Sequence, residues 1–574
     1  MNWKDLIITP QEALASIRPG MTIFLGSGLA EPGTLLNALM QSDHSNTIDI
    51  ELIQLNSHSD ILSFRSLGFQ NYRLRTFISG WVASEIAEAG NIDLVPARYS
   101  QIPSIFRSQQ IPIDTAFIQI TPPDASGFCS LGTSVDVARE VMEQASLVIG
   151  EINERAPFTF GDTIVSINDF DMLVKSDQPP FSFKRWPISK ITDQVAANMA
   201  LLINDGDCIS FHTPNALLEG LCKYLEKKRH LGIHTPFFTD ALMELVKSGA
   251  VSNYKKSYLR GKSVASYVLG SSELTNWLHL NPIVELQSIA EVCNPLRIER
   301  NPNFTVLFHA EKVDLFGRVT FDIGEGSWSS GPGSAADTIS GAELSLNGKT
   351  IFGLPSRNEK GESNIITALT DQRNQFQMRE SIGMVVTEYG SANLKWRTIR
   401  ERAQALIDIA HPEDREKLVK EAKQKKILFQ DQIFLSKSTK QYPKNLVQRY
   451  TFKNGLRVIF RGIRPSDEEA MRRLFYRFSK DTVYKRYFYP ITTMPHIKIQ
   501  EYVNIDYERG QSIVALAGDI DSECIIAEAR YVTDDQTDFG EVAFVVDENY
   551  QGLGIASYLY KILIQLAKKN GLKG

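Results

Sequence analysis

No run of about 18 apolar residues occurs in the chain, and its opening residues, Met1-Asn-Trp-Lys-Asp, lack the apolar core of a secretory signal. Neither a membrane span nor export is therefore expected, and the chain reads as cytoplasmic. Cysteine is scarce. The five residues at 129, 208, 222, 293 and 524 are odd in number and include no C-x-x-C pair, so they read as buried thiols in a reducing compartment. The nine histidines are scattered, and His230 and His234 flank a Leu-Gly-Ile run that reads as extended, so no metal site is expected. Basic charge is not in excess either: 62 Lys and Arg stand against 67 Asp and Glu, a net charge of −5. Without a broad positive field, nucleic acid is not expected as a partner.

What remains is ordinary globular material. Hydrophobic residues make up 43% of the chain and charged residues 22%, and 574 residues suffice for about three or four domain-sized units. The most informative stretch lies near the end. Glu541-Val-Ala-Phe-Val-Val546 reads as a buried strand, and Gln551-Gly-Leu-Gly-Ile-Ala556 follows after a short polar turn. A helix then runs through Tyr558, Leu559, Ile562, Leu563 and Leu566 until Asn570-Gly571 stops it. Strand, glycine turn and helix N-terminus in that order make an anion site. The first helical N–H groups lack intrahelical partners, the helix dipole adds positive character, and glycines admit a diphosphate. A dinucleotide fingerprint would require Gly-x-Gly-x-x-Gly, of which only Gly552 and Gly554 are present.

Gln551, Gly554 and Ala556 match the Gln/Arg-x-x-Gly-x-Gly/Ala loop, and this part of the chain resembles the GNAT superfamily of N-acetyltransferases. The resemblance implies that the amides of Gly552, Leu553, Gly554, Ile555 and Ala556 cradle the pyrophosphate of acetyl-CoA. It also implies that Val545 and Val546 pair with the pantetheine arm. Glu541, at the start of the same strand, occupies the place where several members carry a glutamate base beside the acceptor amine. The usual tyrosine acid of these enzymes would fall past Gly574.

From the N-terminus, strand and helix alternate. Strands are expected at 22–25, 48–53, 75–78, 92–95, 113–120 and 146–149, with helices from about Pro32 or Gly33, near 83–89 and over 135–144. These strands are too apolar to be half exposed, which predicts a mostly parallel sheet covered on both faces. A second block starts near 190. It has a strand at 207–210, a helix capped by Thr213 with Pro214 at its first position, strands at 305–308, 350–354 and 384–387, and helices over 398–409 and 412–424. Gly331-Pro-Gly-Ser-Ala-Ala336 does not qualify as a Rossmann loop, because Trp-Ser-Ser rather than a β-run precedes it. Lysine-dotted polar sequence over 436–455 reads as a linker. The basic and aromatic run Arg472–Lys480 reads as an amphipathic helix rather than a single-strand nucleic-acid surface.

Pro122-Pro-Asp124 with Ser130-Leu-Gly132, Leu231-Gly-Ile-His-Thr235, Leu269-Gly-Ser271, Val313-Asp-Leu-Phe-Gly317, Ser330-Gly-Pro-Gly333, Val386-Thr-Glu-Tyr-Gly390 and Arg400-Glu-Arg-Ala403 occur in this order. With these landmarks residues 1–435 resemble the acetyl-CoA hydrolase/acetate CoA-transferase family, in particular 4-hydroxybutyrate CoA-transferase-like members. The resemblance implies acyl-CoA binding, with Gly331 and Gly333 in the CoA loop. It also implies a nucleophilic glutamate after the Gly-Ile-His-Thr run, which carries CoA as a glutamyl thioester. This chain has Pro236 there. The glycine-rich turn before it is shortened to His212-Thr213-Pro214, and Ala335 replaces a glutamine. Glu325, between two glycines, is the substitute carboxylate to weigh against this loss.

The expected architecture is α/β: CoA-transferase-like subdomains at 1–189 and 190–435, a linker at 436–455, and an incomplete α+β GNAT domain at 456–574. The expected function is acyl-CoA-dependent N-acylation, fused to a module that binds acyl-CoA without its glutamate. An active hydrolase or acetate CoA-transferase using another group, and a non-catalytic acyl-CoA sensor, are the alternatives. Acetyl-CoA or CoA enters as cosubstrate with no prosthetic group, the acceptor is an amine on a protein lysine or a small molecule, and assembly as a homo-oligomer stays open.

Overall fold

The computed structural model describes residues 3–42, 46–56, 72–77, 92–321, 333–370, 375–376, 378–435, 446–507, 509–518, 524–533 and 539–574. The chain divides into two compact units, Met1–Glu311 with Val319–Leu354 and Thr370–Ser381, and Lys312–Arg318 with Pro355–Leu369 and Ile382–Gly574. No helix among the described residues is long and apolar enough to cross a membrane.

In the first unit, β1 (Ile7–Ile8), β2 (Thr22–Leu25), β3 (Ile50–Gln54), β4 (Tyr72–Thr76), β5 (Ile92–Leu94), β6 (Thr115–Ile120), β7 (Leu147–Ile152) and β8 (Met172–Lys175) form one sheet. Its order is β1-β8-β7-β6-β2-β3-β4-β5, and every pairing is parallel. All six residues of β6 are buried, as expected of a strand covered on both faces. The helix expected near 83–89 lies outside the described residues. Helix α1 (Gly33–Met40) follows β2 and packs Leu35, Leu36 and Leu39 on Ile23, Leu25 and Leu52. Its free N-terminal amides are taken by the chain itself: the Glu151 carboxylate accepts from Thr34 N at 3.1 Å and Leu35 N at 2.9 Å.

A second parallel sheet in this unit contains β9 (Cys208–Phe211), β10 (Gly232–Ile233), β11 (Phe304–Asp314) and β12 (Lys349–Gly353), in the order β10-β9-β11-β12. Helix α2 (Ala216–Leu225) begins later than the sequence predicts. Asn215 is its N-cap, with Oδ1 accepting from Leu218 N at 3.1 Å, so Thr213-Pro214 stays outside the helix. Helix α3 (Ala335–Leu344) follows Gly333 and Ser334. Four of the cysteines are buried as free thiols, and Cys524, in the second unit, is partly exposed.

The second unit holds α4 (Ile399–Ile409), α5 (Pro412–Gln424) and an antiparallel sheet of β13 (Gln448–Thr451), β14 (Arg457–Gly462), β15 (Gly510–Ala517), β16 (Cys524–Thr533) and β17 (Gly540–Val546) in sequential order. Residues 448–451, expected within a linker, are therefore a strand. The turn Phe452–Gly455, with Gly455 at φ +83°, folds them back on β14. Helices α6 (Glu468–Arg477), α7 (Lys480–Tyr487) and α8 (His496–Val503) contribute Met471, Leu474, Phe475, Val483, Ile499 and Val503 to a core with Val545. Helix α9 (Ile555–Lys569) places Ile555, Leu559, Ile562, Leu563 and Leu566 in another core, against which Phe544 and Val546 pack. The period of two along β17 sets its odd residues toward α6–α8 and its even residues toward α9.

Candidate active sites

In the second unit, β17 is the last strand of its sheet, and no strand among the described residues pairs with its outer edge. On that side the backbone of Val546 points away from β16, while that of Val545 is turned toward Glu528. The chain then passes through Asp547–Gln551 into Gly552 and Gly554, at φ +75° and +87°, a region glycine enters without strain. Gly554 caps α9 without any side-chain hydrogen bond, and the first backbone bond back to it comes from Tyr558 N. The amides of Ile555, Ala556 and Ser557 therefore point out of the helix end, and around Gly552 even an added Cβ would touch nothing within 4 Å. Leu553 packs partly against the α9 core, and Gln551 Nε2 donates to Val546 O at 3.1 Å, tying loop to strand. The loop is also braced from behind. Arg477 Nε donates to Asp547 at 2.6 Å, while Glu548 accepts from Ser479 N at 2.8 Å and Thr482 Oγ1 at 2.7 Å.

Glu541 stands exposed at the start of β17, opposite Val532. It shares the odd face with Val545 and hence the side of α6–α8. Sequence reasoning missed a second carboxylate on that side. Glu528, 1% exposed, sits opposite Val545 and is held by Arg530 Nε at 2.6 Å, Arg486 Nη2 at 3.2 Å and Ser512 Oγ at 2.7 Å. Burial alone would raise its pKa, but the two guanidinium groups and the hydroxyl outweigh it and hold the carboxyl below the ordinary range. The alternation of β16 gave the only sequence signal, a glutamate at an inward position.

In the first unit, both parallel sheets reverse their winding, and ligand crevices form at the carboxyl ends of strands where this happens. In the first sheet, the reversal lies between β2 and β6, and Ser27 follows the end of β2. In the second it lies between β9 and β11, and His212 follows β9. His212 packs against Phe308 and Phe321 with ring centroids 5.2 and 5.3 Å away, and its Nδ1 lies 2.9 Å from Ser334 Oγ. Burial lowers its pKa to about 4, so the imidazole is neutral at pH 7. Gly333, at φ +51°, accepts from Tyr99 N at 3.2 Å, and a Cβ there would stand 3.6 Å from the His212 ring. Gly333 thus lies beside His212 at the end of β9, and Gly331 and Glu325 fall outside the described residues.

Pro236 is buried beside this crevice. Its carbonyl accepts from Ser266 N at 3.0 Å and Tyr267 N at 2.9 Å. Asp240, the nearest carboxylate along the chain, is committed elsewhere: it accepts from Ser271 Oγ at 2.6 Å and Ser271 N at 3.0 Å. His234 is structural, with Nε2 2.7 Å from Val292 O. Sequence reasoning missed Asp136, Tyr99, Tyr267 and His212, which come from separate segments and meet only in the fold.

Two doubly wound parallel sheets within one compact unit define a CoA-transferase-type α/β protein, and the glycine-opened helix beside an antiparallel sheet adds an acetyltransferase-type domain. Family models for the acetyl-CoA hydrolase/transferase N-terminal domain match residues 1–183, for its C-terminal domain 270–422, and for the acetyltransferase (GNAT) family 471–574. Among curated proteins, the 4-hydroxybutyrate coenzyme A transferase of Clostridium kluyveri is 33% identical over 425 residues, 74% of this chain and 98% of that protein. An acetyltransferase of Pseudomonas aeruginosa is 28% identical over 120 residues, 21% of this chain and 64% of that protein. Among solved structures, RipA from Yersinia pestis superposes with a TM-score of 0.68 at 26% identity, covering 74% of this chain and 98% of that one. The chain belongs to the acetyl-CoA hydrolase/transferase family and carries a GNAT domain at its C-terminal side. Both families use CoA thioesters, so acetyl-CoA or CoA is the implied substrate.

Proposed function

We propose that the GNAT domain transfers an acyl group from acyl-CoA to an amine, and that the large module binds acyl-CoA without the glutamyl-CoA route of its relatives. The observation that carries the first half is the junction of β17 and α9. An open strand edge, two glycines at positive φ and an uncapped helix N-terminus converge there, and no side chain among the described residues caps the helix. In this reading the pyrophosphate lies on residues 552–556 and the pantetheine arm along Val545 and Val546. The amine nitrogen attacks the thioester carbonyl, Glu541 takes the amine proton, and the carbon–sulfur bond breaks to release CoA thiolate. The second half is supported by Pro236, whose ring offers no lone pair to a thioester, and by Asp240 being engaged with Ser271.

Calorimetry with CoA tests the first half. Gly554→Val places a branched side chain at φ +87° on the diphosphate path, and loss of one CoA site is the expected result. An unchanged isotherm removes the loop from the site. For the acceptor half, Glu541→Gln should lower transfer to an amine by about 10²–10⁴ with CoA affinity intact. Wild-type turnover across about pH 6–9 would take Glu541 out of the mechanism. The large module should give no exchange of CoA between acetyl-CoA and free carboxylates, and no borohydride-sensitive adduct. Robust exchange would overturn that half.

A further inference from the structure

In the first unit four buried polar atoms, Ser27 Oγ, Asp136 Oδ2, Tyr267 OH and His212 Nε2, make no hydrogen bond of good geometry among the described residues, although Ser27 lies close enough to Asp136, and Asn56 to Tyr267, to act on their ionisation. Buried polar groups are normally satisfied, so poorly bonded atoms near the points where the sheets reverse mark a place where a polar ligand or water belongs. Asp136 is the most unusual of them. It is 1% exposed and adopts φ +38°, a conformation that non-glycine residues rarely hold. One carboxylate oxygen accepts from Val137 N, and Oδ2 makes no bond of good geometry. Its segment lies against the Pro236 position through two successive chains: Val135 N donates to Ser266 O at 3.1 Å, and Ser266 N donates to Pro236 O at 3.0 Å. Two chain spacings of about 4.8 Å put the segments roughly 10 Å apart.

We propose that Asp136 is the general base of a water-dependent acyl-CoA hydrolysis in the first unit, a route that needs no covalent enzyme adduct. This rests on the reading that the large module binds acyl-CoA. Water oxygen attacks the thioester carbonyl carbon while Asp136 Oδ2 takes a proton from that water. The tetrahedral intermediate then expels CoA as the carbon–sulfur bond breaks, and the proton on Asp136 passes to the departing sulfur. The products are a carboxylic acid and CoA, and Asp136 is returned ionised. Tyr267 stands beside it as a donor, its hydroxyl kept protonated because burial raises its pKa well above the usual phenol.

The groups facing Asp136 fit the role. Burial, opposed by Ser27 and the amides of Val137 and Ala138 and aided slightly by Glu140, leaves its pKa raised to about 7. Tyr99 and Tyr267 interact with it and Cys293 with both tyrosines, and all three are neutral at that pH because burial raises each of them. A carboxyl poised near neutrality can take a proton in one step and return it in the next.

The test uses the full chain with acetyl-CoA and no amine, following acetate by NMR and free thiol by a thiol reagent. Acetate should form at a rate that rises through a single ionisation near pH 7. Asp136→Asn, whose side chain tolerates positive φ, should cut that rate about 100-fold or more while calorimetry still finds two CoA sites per chain. Asp136→Glu should recover part of it, and transfer to an amine by the GNAT domain should be unaffected. Absence of acetate, a wild-type rate in Asp136→Asn, or loss of a CoA site together with activity would overturn the assignment. Two sites without hydrolysis would sink Asp136 alone, and one site without hydrolysis would sink acyl-CoA binding by the large module with it. If Asp136→Asn fails to fold, a wild-type rate flat from about pH 6 to 8 is decisive against it.

Discussion

At the scale of single residues, two buried carboxylates respond to pH in opposite senses. Glu528 is ion-paired, and its folded pKa is depressed. Its stabilising contribution is complete above the unfolded value of about 4.3 and is lost as pH falls through the folded value. Glu528→Ala strands Arg486 and Arg530, each about a tenth exposed, so a loss of about 3–5 kcal/mol is expected in urea unfolding of the protein at pH 7. Asp136 has its pKa raised to about 7 by burial. Its contribution is complete below the unfolded value of about 3.9 and is lost as pH rises through about 7. Asp136→Asn should therefore melt at a higher temperature than the wild type at pH 8 and show a smaller difference at pH 5. A wild type that is the more stable of the two at pH 8 would mean that the ionised carboxyl is better accommodated than its surroundings indicate.

Among the elements, the β17–α9 junction depends on supports outside its own sequence. Arg477, from α6, holds Asp547 at 2.6 Å, and Asp547 is 2% exposed. Arg477→Ala should leave that carboxylate buried and unpaired, speed hydrogen exchange at 547–551, and weaken CoA binding about tenfold, a 1.4 kcal/mol effect. Unchanged exchange in that segment would show that the loop needs no brace. The junction itself was legible in its elements, although its strand, expected to be buried, buries only Val545 and leaves Glu541 and Val542 exposed. Strand, glycine loop and helix appear where apolar spacing and glycine placement put them, since each is decided by residues a few positions apart. The parallel sheet of the first unit was legible for the same reason, through apolar runs such as Thr115–Ile120. The strand Gln448–Thr451 was not, because lysines and Tyr442-Pro443 beside it look like linker and its pairing is made only with β14. The crevice of the first unit was the least legible. His212 meets Ser334 across 122 positions, and neither residue belongs to a local pattern that marks it. Pro236 takes on meaning only against the family resemblance.

Across the whole molecule, the second compact unit joins the last helices of the CoA-transferase part to the GNAT domain. Asp408, in α4, accepts from Ser466 N at 3.0 Å, and Gln500, in α8, accepts from Gln432 Nε2 at 2.8 Å and Ile433 N at 3.1 Å. Gln500 is fully buried and its Oε1 also accepts from Asn504 Nδ2 at 3.2 Å, so Gln500→Ala takes that acceptor from three donors and should cost about 1–3 kcal/mol. Calorimetry should show α4, α5 and the GNAT sheet melting as one transition that shifts together in this variant. A shift confined to the GNAT sheet would divide the unit in two. Pro236 has a consequence of another kind, for the fate of label. On the proposed reading that the glutamyl-CoA route is absent, no acyl group or CoA is stored at that position between encounters, and the chain keeps no memory of its last substrate there. A pulse of radioactive acetyl-CoA followed by an unlabelled chase should be diluted at once, with no fraction of counts protected on the protein and carried through to product.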